Sequence, residues 1–434
     1  MFEALLHSPR PWMAPLWVIV LGVVLWRWLI GQPRDIRYYF GAAVLIKLLA
    51  LAILVYFYSQ STVGDLVYFW QVKVPTYFEL LDTHPELTHE LWGYLLWNDA
   101  ATDAALQEQF GGQLYQYFNY PEAFEMHFLR LVALLYLLTG GNFIAGVLLG
   151  TSIGLLGQWW VWRGVCAAVD RCDTTGFLCV FGVPSVAIFT ASFMKETVLV
   201  FGLGLLMLAL LNQTIRIVPR MMYGTLGWLL MLSIKPYLAS SLAPFVLLVL
   251  VWQFTKDLSS QRKKLLRLGV LVVGMAGVVL FWDSITYMLG YGRYLRTLTL
   301  EIGAGSGNYV DIGQYELTAP GILKAGILGA LVTLFGPLPQ HINNVWGWGM
   351  LLENILWLSG CVYLLFHRLR AHYRLHWQPV LWLMLVWPVC YCAILGMSVP
   401  YYGSLLRYRT LALILLVSGV YLLYATATAS ARRT

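Results

Sequence analysis

WMAPLWVIVLGVVLWRWLIGQPRDIRYYFGAAVLIKLLALAILVYFY, residues 12–58, decides the class of this protein. Two apolar runs, 12–31 and 38–58, are joined by a short linker that carries Arg34 and Arg37. A helix of about 20 apolar residues crosses the hydrocarbon core of a bilayer. Backbone in contact with lipid must satisfy its own hydrogen bonds, so these runs read as helices and not strands. The run 12–31 lacks a small-residue cleavage site and is followed by Arg34 and Arg37, so it reads as a retained span.

The pattern recurs to the end of the chain. Further spans are expected at 143–162, 176–193, 197–211, 223–234, 238–254, 266–282, 350–366, 377–397 and 406–424. The expected fold is all-α: one integral membrane domain over 1–434, with about 11 transmembrane helices, interfacial helices and one large external loop. The chain is 59% hydrophobic and 11% charged, against roughly 25% charged in soluble domains. Its mean hydropathy is +0.69. The net charge of +7 is not a nucleic-acid signature, because the basic residues sit mostly in short loops between spans, where they set topology. Six cysteines show neither a disulfide framework nor metal-ligand spacing.

Orientation follows from the basic loops. Lys256, Arg262, Lys263, Lys264 and Arg267 mark a cytoplasmic loop, as do Arg368, Arg370 and Arg374, Arg34 and Arg37, and Arg432 and Arg433. The expected location is a bacterial inner (plasma) membrane. Counting 320–338 as a span would invert the loop at 368–374, so it reads as an interfacial or re-entrant helix ended by Gly336-Pro337-Leu338-Pro339. The run 128–138 is too short to cross.

This topology puts residues 59–126 outside. That loop carries ten carboxylates against one lysine, Lys73. A second external segment, 283–319, contains Arg293, Arg296, Glu301 and the glycine-rich stretch 303–308.

Asp65, in Val63-Gly64-Asp65-Leu66-Val67-Tyr68, is the sharpest catalytic candidate, seven residues beyond the second span. At the membrane surface it would act as general base on an acceptor hydroxyl, or hold a divalent cation such as Mg or Mn against a phosphate. The bland alternative is an N-cap for a helix from Leu66. His84, Glu86, His89 and Glu90 lack zinc-protease spacing, and Thr83-His84-Pro85-Glu86 fits a capping box. Lys195, Lys235, Arg407 and Arg409 stand at expected outer ends of spans, against the positive-inside tendency, and suit phosphate binding. Snorkelling to headgroups is the alternative. Glu353 falls near the end of an apolar span, where a carboxylate is either functional or the buried partner of an arginine. Tryptophans and tyrosines of the acidic loop, Tyr68 and Trp70 among them, either stack on sugar rings or pack within the loop.

Four short motifs together resemble the GT-C superfamily of membrane glycosyltransferases. Gly64-Asp65 with Tyr68 is similar to the acidic motif of that family's first large external loop. Pro184-Ser185, with Phe189 to Ser192 and Lys195-Glu196, is similar to its proline, small-residue and lysine-acid run. Lys235-Pro236-Tyr237 resembles a break at the outer surface, and Gly403 with Arg407-Tyr408-Arg409 resembles the element before the last span. The resemblance implies transfer of a sugar from a polyprenyl-phosphate carrier to a glycan or lipid acceptor on the outer face. Asp65 would be the base. Lys195, Lys235, Arg407 and Arg409 would stabilise the departing phosphate, and Tyr68, Glu196, Tyr237 and Glu353 would contact substrate. No Asp-x-Asp pair stands at Asp65, so metal use stays open. The alternatives are an O-antigen-type polysaccharide polymerase or ligase, a lipid-linked sugar flippase or transporter, and a structural membrane subunit.

Overall fold

The computed structural model describes residues 10–60, 69–75, 78–79, 123–255, 261, 269, 282–302, 310, 312–313, 315–342, 345–370 and 379–431. Every regular element among them is helical. The first four helices are α1 (Met13–Ile30), α2 (Arg34–Gln60), α3 (Ala123–Leu138) and α4 (Phe143–Val169). Two short helices follow, α5 (Thr174–Phe181) and α6 (Pro184–Phe189), then α7 (Lys195–Leu211), α8 (Ile217–Ile234) and α9 (Pro236–Thr255). The remainder comprises α10 (Trp282–Ile302), α11 (Ala319–Phe335), α12 (Val345–Arg370), α13 (Pro379–Ser398), α14 (Tyr402–Tyr408) and α15 (Thr410–Ala431).

Seven described helices are long and apolar enough to cross a membrane: α1, α2, α4, α8, α9, α12 and α13. The pair α14 and α15, bent by 49°, makes an eighth if counted as one span. The remaining expected spans differ for local reasons. The run 176–193 is two short helices, because Gly182-Val183-Pro184 ends α5: Pro184 has no N–H to continue the ladder. The run 197–211 is α7, 17 residues long. The run 266–282 lies almost wholly outside the described residues, as does the loop 59–126 except for 59–60, 69–75, 78–79 and 123–126. The expected interfacial segments are α11, 17 residues capped by the Thr318 hydroxyl, and α3, 16 residues.

The chain divides into two units. The first contains Met1–Trp160, Ala187–Leu205 and Thr225–Pro236. Within it Trp28 of α1, Phe40 of α2 and Trp159 of α4 form an aromatic cluster with centroids 4.9–5.8 Å apart. Trp70, 2% exposed, wedges between Tyr136, Phe143 and Phe193 over Gly146 and donates its indole N–H to the Gly141 carbonyl at 3.3 Å. This loop tryptophan is a packing anchor.

A glycine face on α4 lets backbone meet backbone in this unit. A Cβ on Gly150 would strike the main chain of Ser192 and Phe193, and one on Gly154 the Thr190 carbonyl. A Cβ on Gly157 would lie 2.6 Å from Phe201 Cα. Small residues at such spacing allow close helix approach where lipid removes the hydrophobic drive for association. Gly154→Val is therefore expected to cost about 1–3 kcal/mol or more, since main chain cannot rotate out of the way. A lowered thermal midpoint in detergent, against an unchanged midpoint for Gly41→Ala, which meets open space, checks this.

The second unit contains Val161–Val186, Leu206–Gly224 and Tyr237–Thr434. Here α11 crosses α13 at Gly329 and Gly396: a Cβ on Gly329 would lie 2.8 Å from the Ala393 carbonyl, and one on Gly396 would enter the Gly329 backbone. Helices α5, α12 and α13 pack on α15. Trp387 stacks on Tyr391 at 5.0 Å and donates to Ser241 Oγ at 3.1 Å.

One cysteine expectation is corrected. Cys166 and Cys172 form a disulfide. Helix α4 ends at Val169, and Asp170 takes a left-handed φ of 54°, turning the chain back on itself. Arg171 N–H then donates to the Cys166 carbonyl at 3.2 Å, bringing the two Cα atoms to 4.9 Å. Sequence spacing alone did not show this turn.

Candidate functional site

Two polar centres are built, one in each unit. In the first, Pro236 ends α8 and opens α9, because a residue before proline is pushed out of helical conformation. That leaves Lys235 at a corner. Helix α7 begins at Lys195 and carries Glu196 in its first turn, where the helix dipole favours a carboxylate. Lys235 Nζ and Glu196 Oε1 pair at 3.3 Å, with side chains 7% and 1% exposed.

Lys195, next along the chain, lies with Nζ 5.7 Å from the centre of the Phe69 ring and 5.8 Å from that of Phe128. Lys73 Nζ lies 5.4 Å from the same Phe69 ring and is buried. Phe69 thus holds two ammonium groups by its π face. Phe69 and Phe128 meet edge to face at 5.0 Å. Asp65 and Tyr68, which precede Phe69 by four residues and one, lie outside the described residues, as do His84, Glu86, His89 and Glu90. Among the described residues no group of three or more His, Cys, Asp or Glu side chains converges as metal ligands.

The same unit contains a buried cation that the sequence reading passed over. Lys47 of α2 is 1% exposed. Its ammonium donates to the Ala187 carbonyl at 3.3 Å, the Thr190 carbonyl at 3.1 Å and the Thr190 hydroxyl. These acceptors are the carbonyl end of α6, where unsatisfied C=O groups attract a cation. The available signal was a single lysine inside an otherwise apolar run, which in a membrane segment marks a functional or structural centre.

The second centre is a buried network around Arg409, which is 0% exposed. Arg409 stands at the bend between α14 and α15. Its Nη1 donates to the carbonyls of Thr333, Leu334 and Gly336 at 3.1–3.2 Å, closing the C-terminal end of α11. Its Nη2 donates to Asn354 Oδ1 at 2.9 Å and reaches Glu353 Oε1 at 3.4 Å. Asn354 Nδ2 donates to the Phe335 and Gly336 carbonyls, both at 2.9 Å. Glu353 accepts from the Ser185 N–H and the Ser185 hydroxyl, both at 2.6 Å, so its carboxylate caps the amide end of α6. Glu353 is thus a buried ion-pair partner of Arg409.

The six candidate charges therefore fall into two groups. Lys195, Glu196 and Lys235 belong to the first unit. Glu353, Arg407 and Arg409 belong to the second, together with Tyr237, which is 44% exposed in the first turn of α9. Arg407 lies over the Tyr408 ring at 5.0 Å and donates to its hydroxyl at 3.1 Å.

Of the two arginines on α10, Arg293 donates to the Tyr315 carbonyl at 2.9 Å. Arg296 donates to the carbonyls of Gly396, Val399 and Val310. Burial pushes the Tyr315 phenol above its ordinary range, against the opposing pull of Arg293 and Arg296.

The fold and these centres define a multi-pass, all-helical membrane protein. Comparison with protein-family models, with curated proteins and with solved structures gives no match in any of the three.

Proposed function

We propose that this protein is a membrane glycosyltransferase, moving a sugar from a polyprenyl-phosphate carrier to a glycan or lipid acceptor at the outer face of the membrane. One observation carries the reading: Lys195 and Lys73 share the ring of Phe69, four residues along the chain from Asp65. Lys195, a candidate phosphate ligand, and the loop lysine Lys73 are thereby brought to one aromatic ring, and Asp65 precedes that ring in sequence. In the proposed reaction Asp65 takes the proton of the acceptor hydroxyl as it attacks the anomeric carbon. Lys195, with Lys73 and the Lys235–Glu196 pair behind it, offsets charge developing on the departing phosphate. Arg409 is assigned to holding α11 and α12 in place, since its Nη donors face protein acceptors.

The test is sugar transfer by the purified protein in lipid nanodiscs, with a panel of polyprenyl-phosphate and polyprenyl-diphosphate sugars and products read by mass spectrometry. Transfer by the wild type and its loss in folded Asp65→Asn is the expected result. Transfer by both proteins would move the chemistry to other residues and favour a polymerase or ligase. A lipid-linked sugar transporter is the second reading, favoured by the interruption between α6 and α7 and the buried Lys47 beside it. It predicts carrier movement across proteoliposomes without bond cleavage.

A further inference from the structure

The turn between α4 and α5 carries chemistry that the glycosyltransferase reading does not use. We infer that Cys166 and Cys172 form a reversible dithiol–disulfide latch that ties the end of α4 to the start of α5 in response to the surrounding thiol pool. Two observations support it. The backbone turn fits the bond: the left-handed Asp170 and the Arg171 N–H to Cys166 carbonyl hydrogen bond accompany a Cα separation of 4.9 Å, inside the bridging range.

The two sulfurs differ in access. Cys166 is buried at 7% exposure and Cys172 is half-buried, so Cys172 is the sulfur that a small thiol or disulfide reaches first. The sequence reading expects the loop after α4 on the cytoplasmic side, with Arg34, Arg37 and the other basic loops. There the glutathione pool keeps structural disulfides rare and makes a pair held at bonding distance responsive.

The exchange balances without a metal or enzyme partner. The Cys172 thiolate attacks one sulfur of a glutathione-type disulfide, breaking that S–S bond and releasing one glutathione thiolate. The Cys166 thiolate then attacks the Cys172 sulfur of the mixed disulfide, forming the internal bond and releasing the second glutathione thiolate. Two protein thiols are oxidised, one small disulfide is reduced to two thiols, and the two protons pass to the released thiolates.

Closing the latch has a structural consequence within its own unit. Asp173, one residue beyond Cys172, caps α5 by accepting the Gly176 N–H at 2.8 Å and pairs with Arg171 at 2.8 Å. Gly176 lies against the Tyr421 ring of α15, with room for no Cβ: one would sit 2.9 Å from the ring. The latch therefore holds the cap that starts α5 and keeps α5 seated on α15.

The experiment uses the intact protein in membrane vesicles of both orientations, equilibrated over a series of reduced-to-oxidised glutathione ratios. Free thiols are alkylated and located by peptide mass spectrometry, and amide hydrogen exchange is followed over residues 170–181. The expected result is conversion of the pair between two thiols and one disulfide across the series, with Cys172 alkylated from the cytoplasmic face and ahead of Cys166. Exchange at 170–181 should be at least about tenfold slower in the oxidised form. Cys172→Ser should remove that redox dependence and exchange like the reduced protein at every ratio. The inference is overturned if both thiols stay alkylatable under fully oxidising conditions. A disulfide that persists under fully reducing ones, or reacts only from the outer face, makes it a fixed staple and also overturns it. An exchange difference that survives in Cys172→Ser does the same.

Discussion

Arg409→Met lowers the stability of the folded protein by about 3–5 kcal/mol, the cost of leaving one member of a buried ion pair behind. Arg409 is wholly buried and serves five acceptors on two segments: the Thr333, Leu334 and Gly336 carbonyls at the end of α11, and Asn354 Oδ1 and Glu353 Oε1 on α12. Methionine fills a similar volume, so the loss reads the polar network rather than a cavity. Among the described residues it leaves the Glu353 carboxylate with its Ser185 hydrogen bonds and takes the arginine donor from the Thr333 and Leu334 carbonyls of α11.

Two companions make the result specific. Arg409→Lys should recover little, because an ammonium cannot reproduce a planar fork aimed at carbonyls on one side and an amide oxygen on the other. Arg409→Met combined with Glu353→Gln should cost less than the sum of the two single changes, since the stranded charge is gone. Denaturation midpoints in detergent decide it. A single-mutant loss under about 1 kcal/mol would mean that the network contributes no more than ordinary neutral hydrogen bonds.

Asp65→Asn should lower kcat by about 10²- to 10⁴-fold while leaving the KM for the lipid donor near its wild-type value. Asparagine keeps the shape of aspartate and cannot take a proton. In the proposed reading Lys195, Lys73 and Lys235 serve the donor phosphate, and they are untouched, so donor binding should persist. Lys195→Gln should act the other way, weakening both donor binding and leaving-group stabilisation, and so lowering kcat/KM more than kcat. Steady-state kinetics on protein of unchanged thermal midpoint separates the two. If Asp65→Asn instead makes activity depend on a higher Mg or Mn concentration, the carboxylate holds a cation and is not the base. A raised KM with unchanged kcat would remove Asp65 from the chemistry.

Much of the helical layout was readable from local pattern. The runs 12–31, 38–58, 143–162, 238–254 and 377–397 each correspond to a helix long enough to span, because an apolar run in lipid has one way to satisfy its backbone. Pro236 marked a real break for an equally local reason. The run 176–193 was harder. Its hydropathy suits a span, yet Gly182-Val183-Pro184 divides it and the helix after Phe189 resumes only at Lys195.

The buried charges were visible in the sequence by residue type and not by partner. Lys235 and Glu196 were both singled out, but nothing near either residue in sequence says that they form a pair 39 positions apart. Lys47 escaped attention because its acceptors lie 140 and 143 residues away. The turn that joins Cys166 to Cys172 depends on the backbone sign of one aspartate, which no spacing rule encodes.

The sequence by itself determined that this chain is helical and built for a membrane. Both properties follow from each segment's own side chains and its own i→i−4 hydrogen bonds, whatever surrounds it. The tertiary structure alone decided what each charge does. Lys195, Lys235 and Arg409 read alike as cations at the ends of apolar runs. Folding sets Lys195 against an aromatic ring, Lys235 against a carboxylate, and Arg409 across carbonyls 73 to 76 residues away. The physical reason is that a buried charge is stabilised by whatever unsatisfied helix end or opposite charge packing brings within about 3 Å. That neighbour is a property of the fold.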